Sequence, residues 1–215
     1  MMVTVDNPCP RHGTALIVSG PSGAGKTTVC RQLLQEQTDL HFSVSCTTRA
    51  PRAGEQDGVD YYLLAREVFC QRLEAGDFLE HAEVHGNLYG TLREEVERCV
   101  NAGRDVLLDI DVQGARQVRE QTRDSSLAVC TLFVFFAPPS FEEMEKRLRG
   151  RNTDSDEVIA RRLANSKREM AAWREYDYVI INDSAEIATK RLQTIMAASH
   201  LATVRTLAPD EAPFG

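Results

Sequence analysis

The chain has 215 residues, of which 42% are hydrophobic and 27% charged, as in an ordinary globular protein. Its 32 acidic residues outnumber its 25 basic residues, and the net charge of −7 excludes a protein that coats nucleic acid or anionic membrane through bulk charge. The length predicts one domain, or one domain with insertions. Only four of the basic residues are Lys, so the chain is rich in Arg, the side chain that binds phosphate with a planar fork.

The N-terminus and the cysteines indicate a cytoplasmic protein. No basic segment followed by an apolar core begins the chain, so we expect no secretory signal. The longest apolar run, residues 132–137, is far shorter than the roughly 20 residues that span a bilayer. The six cysteines are scattered without a Cys-x-x-Cys pair, which is typical of small buried residues in a reducing compartment.

Apolar runs that alternate with helical patterns predict an α/β fold with a parallel sheet flanked by helices. The predicted strands are residues 14–19, 106–111, 127–136 and 178–181. Helical patterns follow the first strand and precede the second. Ser140 begins a capping box with Glu143, and Asp183 and Ser184 are predicted to cap the helix after the last strand.

Two stretches interrupt the alternation, and we interpret them as insertions on one core rather than as separate domains. Residues 44–94 are rich in Gly, Thr, Pro and Tyr, and residues 142–168 are helical but highly charged. The predicted core therefore comprises residues 14–43, 95–141 and 169–205, with flexible ends at 1–13 and 206–215.

A phosphate-binding loop follows the first predicted strand and opens the first helix. The run that fits G-x-x-x-x-G-K-[ST] is Gly20, Pro21, Ser22, Gly23, Ala24, Gly25, Lys26 and Thr27. Its backbone N–H groups and the helix N-terminus suit β- and γ-phosphates. Lys26 is predicted to reach the phosphate oxygens and the Thr27 hydroxyl to hold Mg²⁺, with Thr28 completing the ATP site. This motif predicts a P-loop core.

Asp109, near the end of the second buried strand, has the placement of a Walker-B carboxylate that would reach Mg²⁺ through water. A strand-end Asp also serves simply to cap a loop, and both interpretations stay open.

The region after the first helix bears on the second substrate, since a P-loop fits GTPases and kinases alike. Arg49 and Arg52 lie three residues apart around Pro51, with Tyr61 nearby. Two guanidinium groups, each able to donate two hydrogen bonds, and a tyrosine hydroxyl suit the oxygens of a phosphate monoester. The alternative for this pair alone is a solvated basic turn.

Taken together, these motifs resemble the guanylate kinase family over roughly residues 14–200. The P-loop, the Ser-x-Ser-x-Thr-Thr-Arg-x-Pro-Arg-x-Gly-Glu run (43–55), the Gly-Asn-x-Tyr-Gly-Thr run (86–91) and Asp-Ile-Asp-Val-Gln-Gly (109–114) occur in family order. The resemblance implies a GMP-binding role for the 44–94 insertion and a lid at 142–168. The residues that it places on the GMP phosphate are Arg49, Arg52, Tyr61 and Tyr89, and those that it places at the guanine are Ser45, Glu80 and Thr91, with Asp111 close to the base.

The chemistry of Glu80 agrees with that implied role. Guanine presents N1–H and an exocyclic amine as adjacent donors, and an ionised carboxylate only accepts. Adenine would instead place a lone pair against the carboxylate, so such a site discriminates strongly. Taken without the resemblance, Glu80 is an ordinary surface residue.

The resemblance also implies that Arg151 and Arg162 of the lid close on ATP, and it places Asn182 near the adenine. Arg147, Arg149 and Arg161 fit a salt-bridged exposed helix equally well. The implied reaction is direct transfer of the γ-phosphoryl group from ATP to GMP, and dGMP is expected as a further substrate. Lys26, Arg49, Arg151 and Arg162 are the implied catalytic residues, with Mg²⁺ as cofactor.

Two other functions remain open at this stage. A non-catalytic scaffold of the same fold would tend to lose the P-loop and the lid arginines, which this chain keeps. A kinase for a phosphorylated sugar would lack the guanine-reading set. We expect small-molecule partners, no nucleic acid and no membrane, and the oligomeric state is undetermined.

Overall fold

The computed structural model describes residues 11–150 and 156–206. Its strands, in chain order, are β1 (Ala15–Ser19), β2 (His41–Phe42), β3 (Cys46–Thr47), β4 (Tyr62–Leu63), β5 (Phe78–Val84), β6 (Asn87–Leu92), β7 (Val106–Asp109), β8 (Thr131–Ala137) and β9 (Tyr178–Ile181). Its α-helices are α1 (Lys26–Glu36), α2 (Arg66–Glu74), α3 (Arg93–Asn101), α4 (Val112–Thr122), α5 (Leu127–Cys130), α6 (Phe141–Arg149), α7 (Asp156–Met170) and α8 (Ala185–Ser199). Short 3₁₀ helices follow at Ala171–Glu175 and Thr203–Arg205.

The main sheet has five parallel strands in the order β2-β7-β1-β8-β9. All five residues of β1 are buried, as expected for a central parallel strand covered on both faces. Leu16 and Val18 pack against residues of α1 and α8 on one face. Ala15 and Ile17 pack against residues of α3 and α4 on the other. The predicted parallel α/β core is therefore confirmed.

A smaller four-stranded sheet, β4-β3-β6-β5, lies within residues 44–94. Together with α2 it has its own apolar core, in which the rings of Phe69 and Phe78 stack with centroids 4.4 Å apart. Leu79, the next residue of β5, instead packs into the core of the main sheet. Because consecutive residues of one strand point to opposite faces, β5 joins the two cores.

The predicted strand at 127–136 is wrong at its start, where α5 forms a single helical turn before β8. Thr131 donates its hydroxyl hydrogen bond to Leu127 O at 2.7 Å, across one helical turn. Leu127 and Cys130 are both buried, and their spacing of three residues suits one face of a helix. A continuous apolar run such as 127–136 suits a buried strand equally well, so the pattern did not distinguish the two. The second strand likewise ends at Asp109 rather than 111, since Asp111 is the N-cap of α4.

The predicted cap at Ser140 is confirmed, because its hydroxyl accepts a hydrogen bond from Glu143 N at 3.1 Å. Ser184 is the N-cap of α8 but makes no side-chain bond to it, and the Asp183 carboxylate accepts from Ser184 N and from the Arg191 side chain rather than from backbone N–H groups in the first turn of the helix. Capping of α8 by these two side chains is therefore wrong.

Residues 11–13 differ from the flexible end expected at 1–13. His12 N donates to Arg205 O at 2.9 Å and Gly13 N to Val100 O at 2.8 Å, so both ends of the described chain are tied to the core. Asp105 lies beside them and accepts from Arg11, Thr14 N and His200. Within the described ranges, no helix is long and apolar enough to cross a membrane.

Candidate active site

The phosphate loop connects β1 to α1, as the sequence predicts. Gly25 has a φ of 84°, and a Cβ there would collide with Nδ2 of Asn182, so both backbone and space require glycine. Lys26 folds back over the loop, and its Nζ donates to Gly20 O at 2.7 Å. Thr27 and Thr28 are exposed in the first turn of α1. The loop thus leaves its helix N-terminus and two hydroxyls open to a ligand.

Asp109 ends β7 beside the loop, because β7 pairs with β1 and aligns Asp109 with Val18. Burial raises the pKa of its carboxyl, and the charge of Lys26 partly opposes that rise. No hydrogen bond from a described residue reaches this carboxylate. The carboxyl edge of a parallel sheet therefore brings a buried carboxylate, a lysine and the phosphate loop together.

Asn182, which follows β9, is 4% exposed and supports the loop directly. Its Nδ2 donates to Ala24 O at 2.8 Å. Arg147 of α6 in turn donates to Asn182 O at 3.1 Å and binds Glu143 at 2.9 Å. The sequence left Arg147 open between a lid arginine and an ion-paired residue of an exposed helix, and nothing in its i, i+4 spacing signals this second contact.

The end of α7 also packs on the phosphate loop, which sequence reasoning missed. The Ser166 hydroxyl is fully buried and donates to Ser22 O at 3.3 Å. Burial raises the pKa of Glu169, while Lys26 and a hydrogen bond from Ser22 N favour its charge. Arg162 lies on this same helix and is partly buried. Arg151, the other predicted lid arginine, lies outside the described residues.

Glu80 is 8% exposed and lies at the junction between the two sheets. A β-bulge between Phe78 and Glu80 shifts the register of β5 against β6 and aligns Glu80 with Thr91. The Thr91 hydroxyl donates to Glu80 Oε1 at 2.7 Å. Oε2 faces α4, where a Cβ on Gly114 would come within 3.1 Å of it. Gly114 therefore makes the room that this carboxylate occupies.

The surroundings of Glu80 disfavour the charge of its carboxylate. Burial is the main cause that raises the pKa of its carboxyl, and the nearby charge of Asp111 adds to the rise. The hydrogen bond from Thr91 acts in the opposite direction. Asp111 is exposed at the start of α4 and accepts from Gly114 N at 2.7 Å. The structure thus brings together three of the four residues predicted at the guanine.

The fourth, Ser45, stands directly before β3. β3 and β6 are antiparallel and pair Cys46 with Gly90, and this register carries Ser45 towards Thr91. Beside this corner, the Gln117 amide of α4 binds the backbone of His81 twice, at 2.9 and 3.0 Å. Sequence reasoning missed Gln117, which ties the residue after Glu80 to the main core.

Arg49, Tyr61 and Tyr89 also come together. The Arg49 guanidinium carbon lies 5.4 Å from the centre of the Tyr61 ring, and the two tyrosine rings are 6.2 Å apart. Arg49 Nη2 donates to both carboxylate oxygens of Glu55, at 2.8 and 2.9 Å. Arg49 lowers the pKa of the Glu55 carboxyl, and this ion pair raises that of Arg49.

Glu55 also organises the turn that carries both arginines, since it accepts from Arg52 N at 2.7 Å. The Arg52 side chain itself is exposed on this turn. Sequence reasoning gave Glu55 no role, although its position three residues after Arg52 is the spacing of a side chain that closes a turn.

Whether the chain fits a divalent cation is tested by its oxygen donors. Mg²⁺ prefers oxygen ligands and usually keeps several waters, binding through one or two protein groups plus substrate phosphates. Thr27 offers an exposed hydroxyl, and Asp109 offers a largely buried carboxylate that interacts with the neighbouring Lys26, so this donor set fits. The part of the chain that the structure describes contains no group of three or more His, Cys, Asp or Glu residues able to hold a metal by themselves.

The parallel sheet with its phosphate loop, together with the polar groups around Glu80 and Arg49 on the smaller sheet, defines a P-loop nucleoside monophosphate kinase. A sequence model of guanylate kinases matches residues 12–199. The chain belongs to the guanylate kinase family.

Individual relatives agree over most of the chain. It is 48% identical over 191 residues to a guanylate kinase of Cereibacter sphaeroides, covering 89% of each chain. It is 44% identical over 197 residues to one of Geobacter metallireducens, covering 92% of this chain and 94% of that relative. The crystal structure of guanylate kinase from Anaplasma phagocytophilum superposes with a TM-score of 0.71 at 36% identity, covering 94% and 93% of the two chains.

Proposed function

We propose that this chain transfers the γ-phosphoryl group of ATP to GMP, giving ADP and GDP, and that it accepts dGMP in the same site. The observation that carries the proposal is the buried Glu80 carboxylate, held by Thr91 at the junction of the two sheets. A buried acceptor of this kind suits the paired donors of guanine. Family membership independently supports a nucleoside monophosphate kinase.

In this proposal the smaller sheet binds GMP. Arg49, Arg52, Tyr61 and Tyr89 hold its phosphate, because forks and phenols donate to a dianionic monoester. The guanine is bound by Ser45, Glu80, Thr91 and Asp111. The close approach of Arg49 to Tyr61 supports a common phosphate-binding role, and Glu55 keeps Arg49 in place.

ATP would bind on the main sheet. The phosphate loop cradles the β- and γ-phosphates, Lys26 leaves Gly20 O for a phosphate oxygen, and Asn182 lies near the adenine. The lid arginines Arg151 and Arg162 would add positive charge at the transferring group. Contacts of Ser166 and Glu169 with Ser22 support a link between α7 and the phosphate loop.

Mg²⁺ would be held by the Thr27 hydroxyl, with Asp109 acting through water. When bound, it supplies positive charge that neutralises the phosphate oxygens. The chain's own residues supply alignment. Lys26 and Arg49 bind the two phosphates that must meet, and this positioning removes much of the entropic barrier. The GMP phosphate is itself the nucleophile, so no side chain needs to act as a base.

The proposed setting is the cytoplasm, where the enzyme would act on small molecules in purine nucleotide metabolism. Among the described residues, Cys30, Cys46, Cys70, Cys99 and Cys130 are free thiols, which supports a reducing compartment.

Coupled ADP release tests the activity directly. The purified chain is given ATP and Mg²⁺ with GMP, dGMP, AMP, dTMP or a ribose phosphate in turn. We expect rapid ADP release with GMP and dGMP, and release at least about 100-fold slower with AMP and dTMP. Preference for a ribose phosphate would instead establish a sugar-phosphate kinase, and ATP-independent binding of GMP without any turnover would establish a scaffold.

A further inference from the structure

The chain passes from the main sheet into the smaller sheet through residues 43–45. Ser43 N donates to Leu107 O at 3.0 Å, and this bond extends the pairing of β2 with β7 in the main sheet. Two residues later, Tyr62 N donates to Ser45 O at 3.0 Å, within the smaller sheet. Val44 therefore stands where the backbone changes from one sheet to the other.

The chain leaves the smaller sheet at Leu92, and α3 follows at once. Glu95, the third residue of α3, is 4% exposed. Its Oε1 accepts from Val44 N at 3.1 Å and from His41 Nε2 at 3.0 Å. The Glu95 carboxylate, just after the chain leaves the smaller sheet, thus bonds to the backbone at Val44, where the chain enters that sheet. We call this contact the Glu95 clasp, because it holds the two connections between the sheets together.

Burying a carboxylate at this position costs free energy that a residue with only a packing role would not require. Burial of a carboxylate is unfavourable unless its oxygens are well satisfied, and Glu95 Oε2 has no hydrogen-bond partner among the described residues. The N-terminus of α3 offsets part of that cost. An apolar side chain would fill the same space without the cost of a buried charge, but it would leave Val44 N without an acceptor.

We propose that Glu95 is a positioning residue for GMP, an inference that rests on the proposed function. Ser45, one residue after Val44, and Thr91, four residues before Glu95, flank the clasp on its two strands. Both are residues proposed to contact the guanine. By holding the entry and exit strands together, Glu95 fixes the orientation of the guanine site relative to the main sheet, which carries the phosphate loop.

The test compares Glu95→Ala and Glu95→Gln with the unchanged chain. The matched control is Glu94→Ala, because the neighbouring Glu94 side chain is 83% exposed on the same helix. GMP affinity is measured by calorimetry without ATP, KM for each nucleotide by ADP release, and the exchange of the Val44 amide hydrogen by NMR.

Glu95→Ala should weaken GMP binding and raise KM for GMP about tenfold, since it removes a charged acceptor. KM for ATP should stay within about twofold, and the Val44 amide should exchange faster. Glu95→Gln, whose amide oxygen still accepts from Val44 N, should recover most of the GMP affinity. The control should match the unchanged chain in all three measurements.

Three results would overturn the role of Glu95: unchanged GMP affinity in Glu95→Ala, a parallel rise in KM for ATP and GMP, or no recovery in a folded Glu95→Gln variant. Failure of the proposed function looks different, because the unchanged chain would then neither bind GMP nor release ADP with it.

Discussion

The Thr91 hydroxyl donates a hydrogen bond of 2.7 Å to Oε1 of Glu80 across the β5–β6 pair. This bond holds the carboxylate in one orientation and favours its charge despite burial. Its second oxygen is brought against α4 by the absence of a side chain at Gly114. In the proposed function, recognition of the guanine would therefore depend on a charge that burial disfavours.

Replacement of Glu80 tests that dependence. In Glu80→Gln the amide presents a donor as well as an acceptor, so it no longer matches two adjacent donors. We expect kcat/KM for GMP to fall about 100-fold while KM for ATP stays within about twofold. Steady-state ADP release measures both. The control is Glu83→Gln, an exposed position on the same strand, and equal losses for GMP and ATP would refute a guanine-specific role.

The raised pKa of Glu80 also predicts a pH dependence. Because burial raises it above the ordinary value of 4.5, protonation begins at a higher pH than for an exposed Glu. GMP affinity should therefore weaken on acidification while the pH is still above 4.5. The free energy of unfolding should instead increase as the pH falls from the folded pKa to the unfolded pKa, because protonation removes the buried charge in that interval.

Calorimetric titration of GMP at a series of pH values measures the first effect. The GMP phosphate titrates at about pH 6 in both proteins, so the contribution of Glu80 is the part of the acid limb that the Glu80→Gln variant lacks. The variant should also unfold at a slightly higher temperature than the unchanged chain at neutral pH. Identical acid limbs in both proteins would assign the titration to another group.

Lys26→Ala should lower kcat by about 10²-fold or more, because one positive charge at the transferring phosphoryl group is lost. The fold should be retained, because among the described residues the Lys26 side chain makes a single hydrogen bond, from Nζ to Gly20 O. Circular dichroism and thermal unfolding check the second point. Lys190→Ala is the control, because Lys190 is exposed and pairs with Glu186 on α8. A near-normal rate for Lys26→Ala would remove the lysine from the mechanism.

Glu55→Gln should loosen Arg49, whose guanidinium is bound by both carboxylate oxygens. We expect KM for GMP to rise about fivefold, with KM for ATP unchanged, because a charged hydrogen bond is replaced by a weaker neutral one. Glu74→Gln, at the exposed end of α2, is the control. Tighter GMP binding in Glu55→Gln would mean that Glu55 competes with the substrate phosphate for Arg49.

Asp105→Asn should affect stability alone. Although burial opposes its charge, the hydrogen bond from His200, together with Arg11 and Thr14 N, keeps the pKa of Asp105 below its ordinary value. Loss of the charge should lower the free energy of unfolding by about 2 kcal/mol at neutral pH. In the unchanged chain this contribution is present above the ordinary pKa and is lost as the pH falls through the folded pKa.

Urea unfolding at neutral pH measures the loss, and both KM values should remain unchanged because Asp105 precedes β7 while Asp109 and the phosphate loop lie at its other end. A specific loss of GMP or ATP affinity would show that the two ends of the sheet are coupled.

The sequence was sufficient wherever a local pattern fixes local structure. The glycines and Lys26 predicted the loop between β1 and α1, and Ser140 predicted the start of α6. It was insufficient where a contact joins distant residues. Gln117 meets His81 from 36 residues away, and Glu95 meets Val44 from 51 residues away. No periodicity encodes such pairs, and the turn at Leu127–Cys130 was missed because a short apolar run suits a helix or a strand.

Asn182 bonds to Ala24 across 158 residues of sequence, and this separation has a consequence for synthesis. A ribosome makes the phosphate loop well before the side chain that supports it, because Asn182 follows Ala24 by 158 residues. Long-range contacts of this kind form late because chain closure must precede them. A nascent chain truncated before β9 would carry the whole phosphate-binding motif but lack the partner that holds it in shape, so ATP affinity should arise only after β9 and Asn182 have been made.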